Sequence, residues 1–220
     1  MNDVGPESVS RSMAGSRAVP VVGSRFETGL NLRLAGEERT DLGNAERFIA
    51  RAGPDVLFVR DVGWHVWDGR HWRHDGALAK VHLLAHATAE SIIEEVEAVG
   101  KAEPADWGGE AAWKERQQDL AKWCIASGNK SRIDAMVASA APYLTVDPEI
   151  LDADPQVINL ENGTLRLAGS CENLRPHRRE DLLAKIMPVA FVPNAECPTF
   201  LRFLVEVQRR LVRGQRGEAV

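Results

Sequence analysis

Hydrophobic positions recur at helical spacing through the middle of the chain and at alternating positions on either side of it. After Thr40-Asp41, two N-capping residue types, Leu42, Ala45, Phe48 and Ile49 repeat at helical steps before Gly53-Pro54, which predicts a helix of about three turns. A β-like run, Val56 to Val59, precedes Gly63-Trp64-His65-Val66-Trp67-Asp68-Gly69-Arg70-His71-Trp72-Arg73. Asp-Gly between β-formers predicts a hairpin with a two-residue turn, setting Trp67 against Arg70 and Val66 against His71. Alternation then gathers Trp67, Trp72, His65 and Arg70 on one face, and Trp64, Val66, His71 and Arg73 on the other. Leu78, Val81, Ala85, Ile92, Val96 and Val99 form one apolar stripe, predicting a helix from Ala77 to Val99 that Gly100 ends. A second helix, about 110–126, is read from Trp113, Leu120 and Cys124. A third starts at Ser131, which has Asp134 in capping-box position, and runs to Pro142.

Beyond Asp154-Pro155 the period returns to two. Val157-Ile158-Asn159-Leu160 and Thr164-Leu165-Arg166-Leu167 flank Asn162-Gly163, a type I′ turn sequence, and predict a second hairpin. Arg175 to Lys185 suggests a short helical turn, and Ile186 to Val192, broken by Pro188, an edge strand. From Pro198 to about Val212, Phe200, Leu204, Val207 and Leu211 mark one face of a last helix. Residues 1–39 show no sustained period and read as a disordered leader. The expected fold class is α+β, a helical middle flanked by β-hairpins, divided as leader 1–39, domain 40–197 and a connecting segment 198–220.

Composition narrows the functions. With 44% hydrophobic and 27% charged residues in 220, the chain has the make-up of a globular protein. No apolar run is long enough for a membrane span or has the form of a secretory signal, so no membrane partner is expected and the cytoplasm is the expected compartment. Three scattered cysteines suit reduced thiols. A net charge of −5 excludes a polycation that coats nucleic acid, although residues 171–220 carry a local surplus of Arg and Lys.

Candidate chemistry is sparse. His65, His71, His74, His82 and His86 cluster, but His82-Leu-Leu-Ala-His86 lacks the Glu of a metalloprotease helix and no cysteine is near, so ordinary histidines outweigh a metal site. Ser127-Gly128-Asn129-Lys130-Ser131 fails the phosphate-loop pattern because Asn129 separates Gly from Lys. No nucleophile elbow or paired-carboxylate frame stands out, so no catalytic residue is assigned. The tryptophan hairpin could stack bases with Arg70 and Arg73 on phosphates, against a packing role for the rings. Arg175-Pro176-His177-Arg178-Arg179 could hold a backbone phosphate, against a solvated loop. The candidate nucleic-acid contacts are therefore Arg70, Arg73, Arg175, Arg178, Arg179 and Lys185.

In order along the chain, five segments resemble one family. These are Thr40-Asp41-Leu42-Gly43-Asn44-Ala45-Glu46-Arg47-Phe48; Trp64-x-Val66-Trp67-Asp68-Gly69-x-x-Trp72; Leu151-Asp152-Ala153-Asp154-Pro155 with Asn159-Leu160-x-Asn162-Gly163-Thr164; Leu174-Arg175-Pro176-His177; and Lys185-Ile186-x-Pro188-Val189-Ala190-Phe191 to Cys197-Pro198. Together, over roughly 39–207, they look like the N-terminal helicase-associated domain of phage and plasmid primase-helicases, the group with the satellite-phage and poxvirus enzymes. The resemblance implies a place between a primase and a hexameric superfamily-three helicase, with ATP and Mg²⁺ bound in that helicase and no cofactor here. It implies DNA, the helicase domain or other replication proteins as partners, and allows an oligomer. The expectation is a non-catalytic N-terminal part of such a mobile-element replication protein, truncated before the motor and without its own ATPase. The alternative is a stand-alone single-stranded DNA-binding or protein-interaction module.

Overall fold

A computed structural model of the chain describes residues 24–167 and 174–215. The first 23 residues of the expected leader, Cys171 and the last five residues, Arg216 among them, lie outside the described residues. The fold class is α+β. Helix α1 (Ser24–Leu34) precedes α2 (Asp41–Ala52), and the first sheet follows with β1 (Val56–Val59), β2 (Gly63–Trp67) and β3 (Trp72–Arg73). Four helices come next: α3 (Ala77–Glu90), α4 (Ile92–Gly100), α5 (Glu110–Ser127) and α6 (Lys130–Ala140). Strand β4 (Thr145–Val146) returns to run parallel to β1, giving the order β3-β2-β1-β4. A second, antiparallel sheet has the order β5 (Val157–Leu160), β6 (Gly163–Arg166), β7 (Leu174–Arg175), and α7 (Pro198–Gln215) ends the described chain.

The main core lies where α2, α3 and α6 pack on the first sheet, through Ala45 and Phe48, Val81 and Ala85, Ile133 and Met136, and Trp64 and Val66. A second cluster joins Ala35, Ile92, Val99 and Leu120, with Trp113 and Trp123 against it. Thr40 caps α2 as its sequence predicts, its hydroxyl accepting from the Gly43 amide at 3.1 Å. Leu42, counted on the apolar face, is half exposed, as is Leu78 of α3.

Several expectations are corrected. Order begins before Thr40: Asn31, Leu34 and Ala35 are buried, so residues 29–39 are not a leader. Arginines from later helices hold the carbonyls that end α1. Arg47 donates to Leu34 O at 3.0 Å and to Glu38 O at 3.0 Å, and Arg116 Nε donates to Ala35 O at 2.7 Å. Gly43 has no room for a Cβ against the Glu38 carbonyl, which lets this segment lie on α2. The long helix 77–99 is two, because the Ser91 hydroxyl bonds back to Thr88 O at the junction. The third helix starts one residue early with Asn129 at its N-cap, and Asp134 pairs with Lys130 instead of closing a capping box with Ser131.

Both hairpin turns also differ. Trp67 pairs with Trp72 and Val66 with Arg73, so the first loop has four residues, not two. Asp68 explains it, since its carboxylate accepts from the amides of Arg70 and His71, both at 2.9 Å. The slip is by two residues, so the faces inferred for the strand residues survive, while Arg70 and His71, expected in the strand, fall in the loop. In the second hairpin Leu160 pairs with Gly163, which leaves Glu161-Asn162 as the turn, and neither has the positive φ of type I′. Gly163 is needed in the strand itself: at φ +151° a Cβ would sit 2.5 Å from the Arg175 carbonyl of β7. Ile186 to Val192 forms no strand; it follows the end of β5 through the isolated bridge Leu160–Met187 and the bond from the Glu161 amide to Val189 O at 3.0 Å.

In α7, Phe200 and Leu204 of the predicted face are exposed, along with Leu201 and Phe203. Among the described residues no helix is long and apolar enough to cross a membrane.

Candidate nucleic-acid interface

The two sheets meet around one buried amide. Asn159 of β5 is 4% exposed; its Nδ2 donates to Arg70 O at 3.0 Å and to Lys185 O at 3.1 Å. Its Oδ1 must then accept, so the His177 nitrogen 2.9 Å away, Nδ1, carries a proton. Three chain segments bearing Arg70, His177 and Lys185 are thus fixed on one side chain. Trp72 adds a second link between the sheets. Its amide donates to Leu183 O at 2.8 Å and its indole Nε1 to Arg179 O at 2.8 Å, so this ring is committed to packing and is not a free stacking platform.

An open cleft of about 530 Å³ lies beside this junction, lined by Gly69 and Arg70 of the first loop, Glu161 and Asn162 of the second turn, and Leu174 to His177. Of the six candidate contacts, Arg70 and Arg175 line it. Arg73 faces away, on the side of the β2–β3 ladder opposite Trp72. Lys185 lines a separate hollow of about 210 Å³ with Asp152 and Asn159; its side chain is 90% exposed and 3.8 Å from Asp152. Arg178 and Arg179 line neither.

Pairing divides the six further. Arg175 is locked to both oxygens of Asp181 at 2.6 Å, a bond that raises its pKa further above the ordinary arginine value. Arg179 pairs with Asp55 and also donates to Pro54 O. Arg70, Arg73 and Arg178 are exposed and form no ion pair among the described residues. Asn159 and Glu161 are the site residues that sequence reasoning missed. Asn is depleted in strands, and one inside Val-Ile-Asn-Leu was the available signal. Among the described residues no three His, Cys, Asp or Glu side chains converge as metal ligands.

The model of the family described as D5 N terminal like matches residues 45–209, three quarters of the chain. The chain belongs to that family. D5 N terminal like domains form the N-terminal part of D5-type primase-helicases, which places this chain among DNA replication proteins. The match takes in α2 from Ala45, both sheets, the Asn159 junction and the cleft, so the site described above lies in the D5 N terminal like region. Among curated proteins none matches the chain.

Proposed function

We propose that this domain is the non-catalytic adaptor of a cytoplasmic, mobile-element replication protein and holds single-stranded DNA by its phosphates for an ATP-driven motor. The observation that carries this reading is the Asn159 junction, which holds the backbones of Arg70 and Lys185 on one amide while leaving both cations exposed. Phosphate contact needs cations that are placed but not already neutralised: Arg70 satisfies both conditions, Lys185 is placed and 90% exposed with one ion pair, at 3.8 Å to Asp152, and Arg178 is exposed and unpaired among the described residues. Arg175 and Arg179 are paired with Asp181 and Asp55, which leaves their charge less available to a phosphate. The 220 residues contain no G-x-x-x-x-G-K-[ST] segment, which supports a holding role over a motor role.

Fluorescence anisotropy with a labelled mixed-sequence single strand across a salt series tests this. Binding should weaken with salt, and the triple change Arg70→Ala, Arg178→Ala, Lys185→Ala should reduce the slope of log K against log salt by roughly two to three. Arg60, which pairs with Asp147 at 2.8 Å beyond the end of β1, supplies the control, and Arg60→Ala should leave the slope unchanged. A slope unaltered by the triple change overturns the reading.

A further inference from the structure

We infer that the cleft between the 68–71 loop and the β6–β7 end is a subsite for one unpaired nucleotide of a DNA strand, its phosphate on Arg70 and its base edge on Glu161. This rests on the single-strand reading above and says which part of the strand the protein senses. The cleft brings opposite charges, Arg70 and Glu161, together with an apolar wall. Arg70 and Glu161 both line it and both are exposed, yet they form no ion pair with each other or with any described residue. Leu174 and Pro176 supply apolar wall. Its volume, about 530 Å³, lies in the range of sites for small organic ligands.

Several other polar groups of the cleft are already held by the fold. Both ends of the Asn162 amide are taken by Phe191, accepting from its N–H at 2.9 Å and donating to its carbonyl at 2.9 Å. The Glu161 amide donates to Val189 O at 3.0 Å. Both terminal nitrogens of Arg175 are held by Asp181, and His177 is held at Nδ1 by Asn159. Beyond their remaining N–H groups, Arg175 and His177 present a ligand with the flat face of a planar group held in place at one edge, the kind of surface on which a base stacks. Edge recognition is left to the Glu161 carboxylate, an acceptor only. It suits bases with an exocyclic amine, cytosine N4, adenine N6 or guanine N2, whereas thymine offers only its N3–H, flanked by two carbonyl oxygens that a carboxylate repels. A phosphate alone would gain from Arg70 and be repelled by Glu161, so an anion without a base is the poorer occupant.

The test measures anisotropy of oligo(dC), oligo(dA) and oligo(dT) of about twelve nucleotides, within the span of one small single-strand-binding fold, on the full chain and its Glu161→Ala and Glu161→Gln variants. Glu161 is exposed, in a turn, so both variants fold. The expected result is that oligo(dC) and oligo(dA) bind about tenfold more tightly than oligo(dT) to the native chain. Glu161→Ala should shrink that ratio to about twofold, and Glu161→Gln should narrow it by improving oligo(dT), since an amide can also donate to a thymine carbonyl. Salt-sensitive binding with the same base ratio in all three proteins overturns the nucleotide subsite and leaves phosphate holding intact. Absence of binding to every oligonucleotide overturns both.

Discussion

Inside the helical layer every N–H of Arg47 has an acceptor. Its Nε donates to both oxygens of Glu95, at 3.1 and 3.0 Å, and its terminal nitrogens to the carbonyls of Leu34, Glu37, Glu38 and Gly43. The guanidinium of Arg70, at the tip of the first hairpin, forms no ion pair among the described residues, only its charge reaching Asp68 through space, and the bonds Arg70 makes run through its backbone. The two regions show that an arginine's role follows from what its donors meet. A fully occupied guanidinium is part of the scaffold, and an exposed one on a fixed backbone is available to a ligand. By the same rule Arg175 and Arg179, tied to Asp181 and Asp55, resemble Arg47 more than they resemble their neighbour Arg178.

The comparison is broken most directly at Arg47. Arg47→Met leaves the wholly buried Glu95 with only the 3.4 Å contact of Arg51, and removes the donors from four carbonyls. Burial already pushes the Glu95 carboxyl above its ordinary pKa, against the pull of Arg47 and then Arg51. Urea unfolding should show a loss of about 3–5 kcal/mol, partly recovered by adding Glu95→Leu, while Arg70→Ala changes stability by less than about 0.5 kcal/mol. Equal effects of the two arginine substitutions would remove the distinction.

A smaller effect tests whether the site depends on its support. Asn159→Ala strips the donors from Arg70 O and Lys185 O and the acceptor from His177, and should cost about 2–3 kcal/mol in the same unfolding measurement. It should also weaken single-strand binding about as much as Arg70→Ala, although Asn159 is nearly closed to solvent. Binding unchanged in a folded Asn159→Ala protein would separate the junction from the site.

The smallest effect concerns Asp68. Burial pushes its carboxyl up, but the amides of His71 and Arg70, with the charges of those two residues, outweigh this and hold it below its ordinary 3.8. With the folded pKa depressed, its contribution is complete above the ordinary value and is lost as pH falls toward the folded one. Asp68→Ala should therefore lower stability by about 1 kcal/mol at neutral pH. Thermal midpoints of the two proteins should converge between about pH 5 and pH 2. A constant gap across that range would assign the loop's order to something other than this carboxylate.

What the sequence made legible is local. The Thr40 cap and α5 follow from a few residues each, and so does the sharing of one face by Trp67 and Trp72. The first turn was misjudged by two residues because an Asp-Gly signal is short, and Asp68 accepting two amides favours a wider loop. Helix α1 was missed because what fastens it is distant: Arg116 reaches Ala35 across 81 positions. The site was half legible for the same reason. Arg70 and Arg175 could be picked out by type, but their pairing states and the Asn159 bond spanning 89 positions belong to the folded chain.

The hold of Arg47 and Arg116 on the end of α1 bears on where this domain can be cut. A boundary at Thr40, where local patterning starts, would keep the helix cap and both sheets. It would discard three carbonyl acceptors of Arg47, those of Arg116 at Ala35 and Glu37, and the Asn31 oxygen that receives Arg51 at 2.7 Å. Such a fragment would carry its own unmet donors into the interior. For grafting or recombination the modular edge lies ahead of Asn31, and the helix end that looks like an appendage in the sequence is part of the smallest transferable piece.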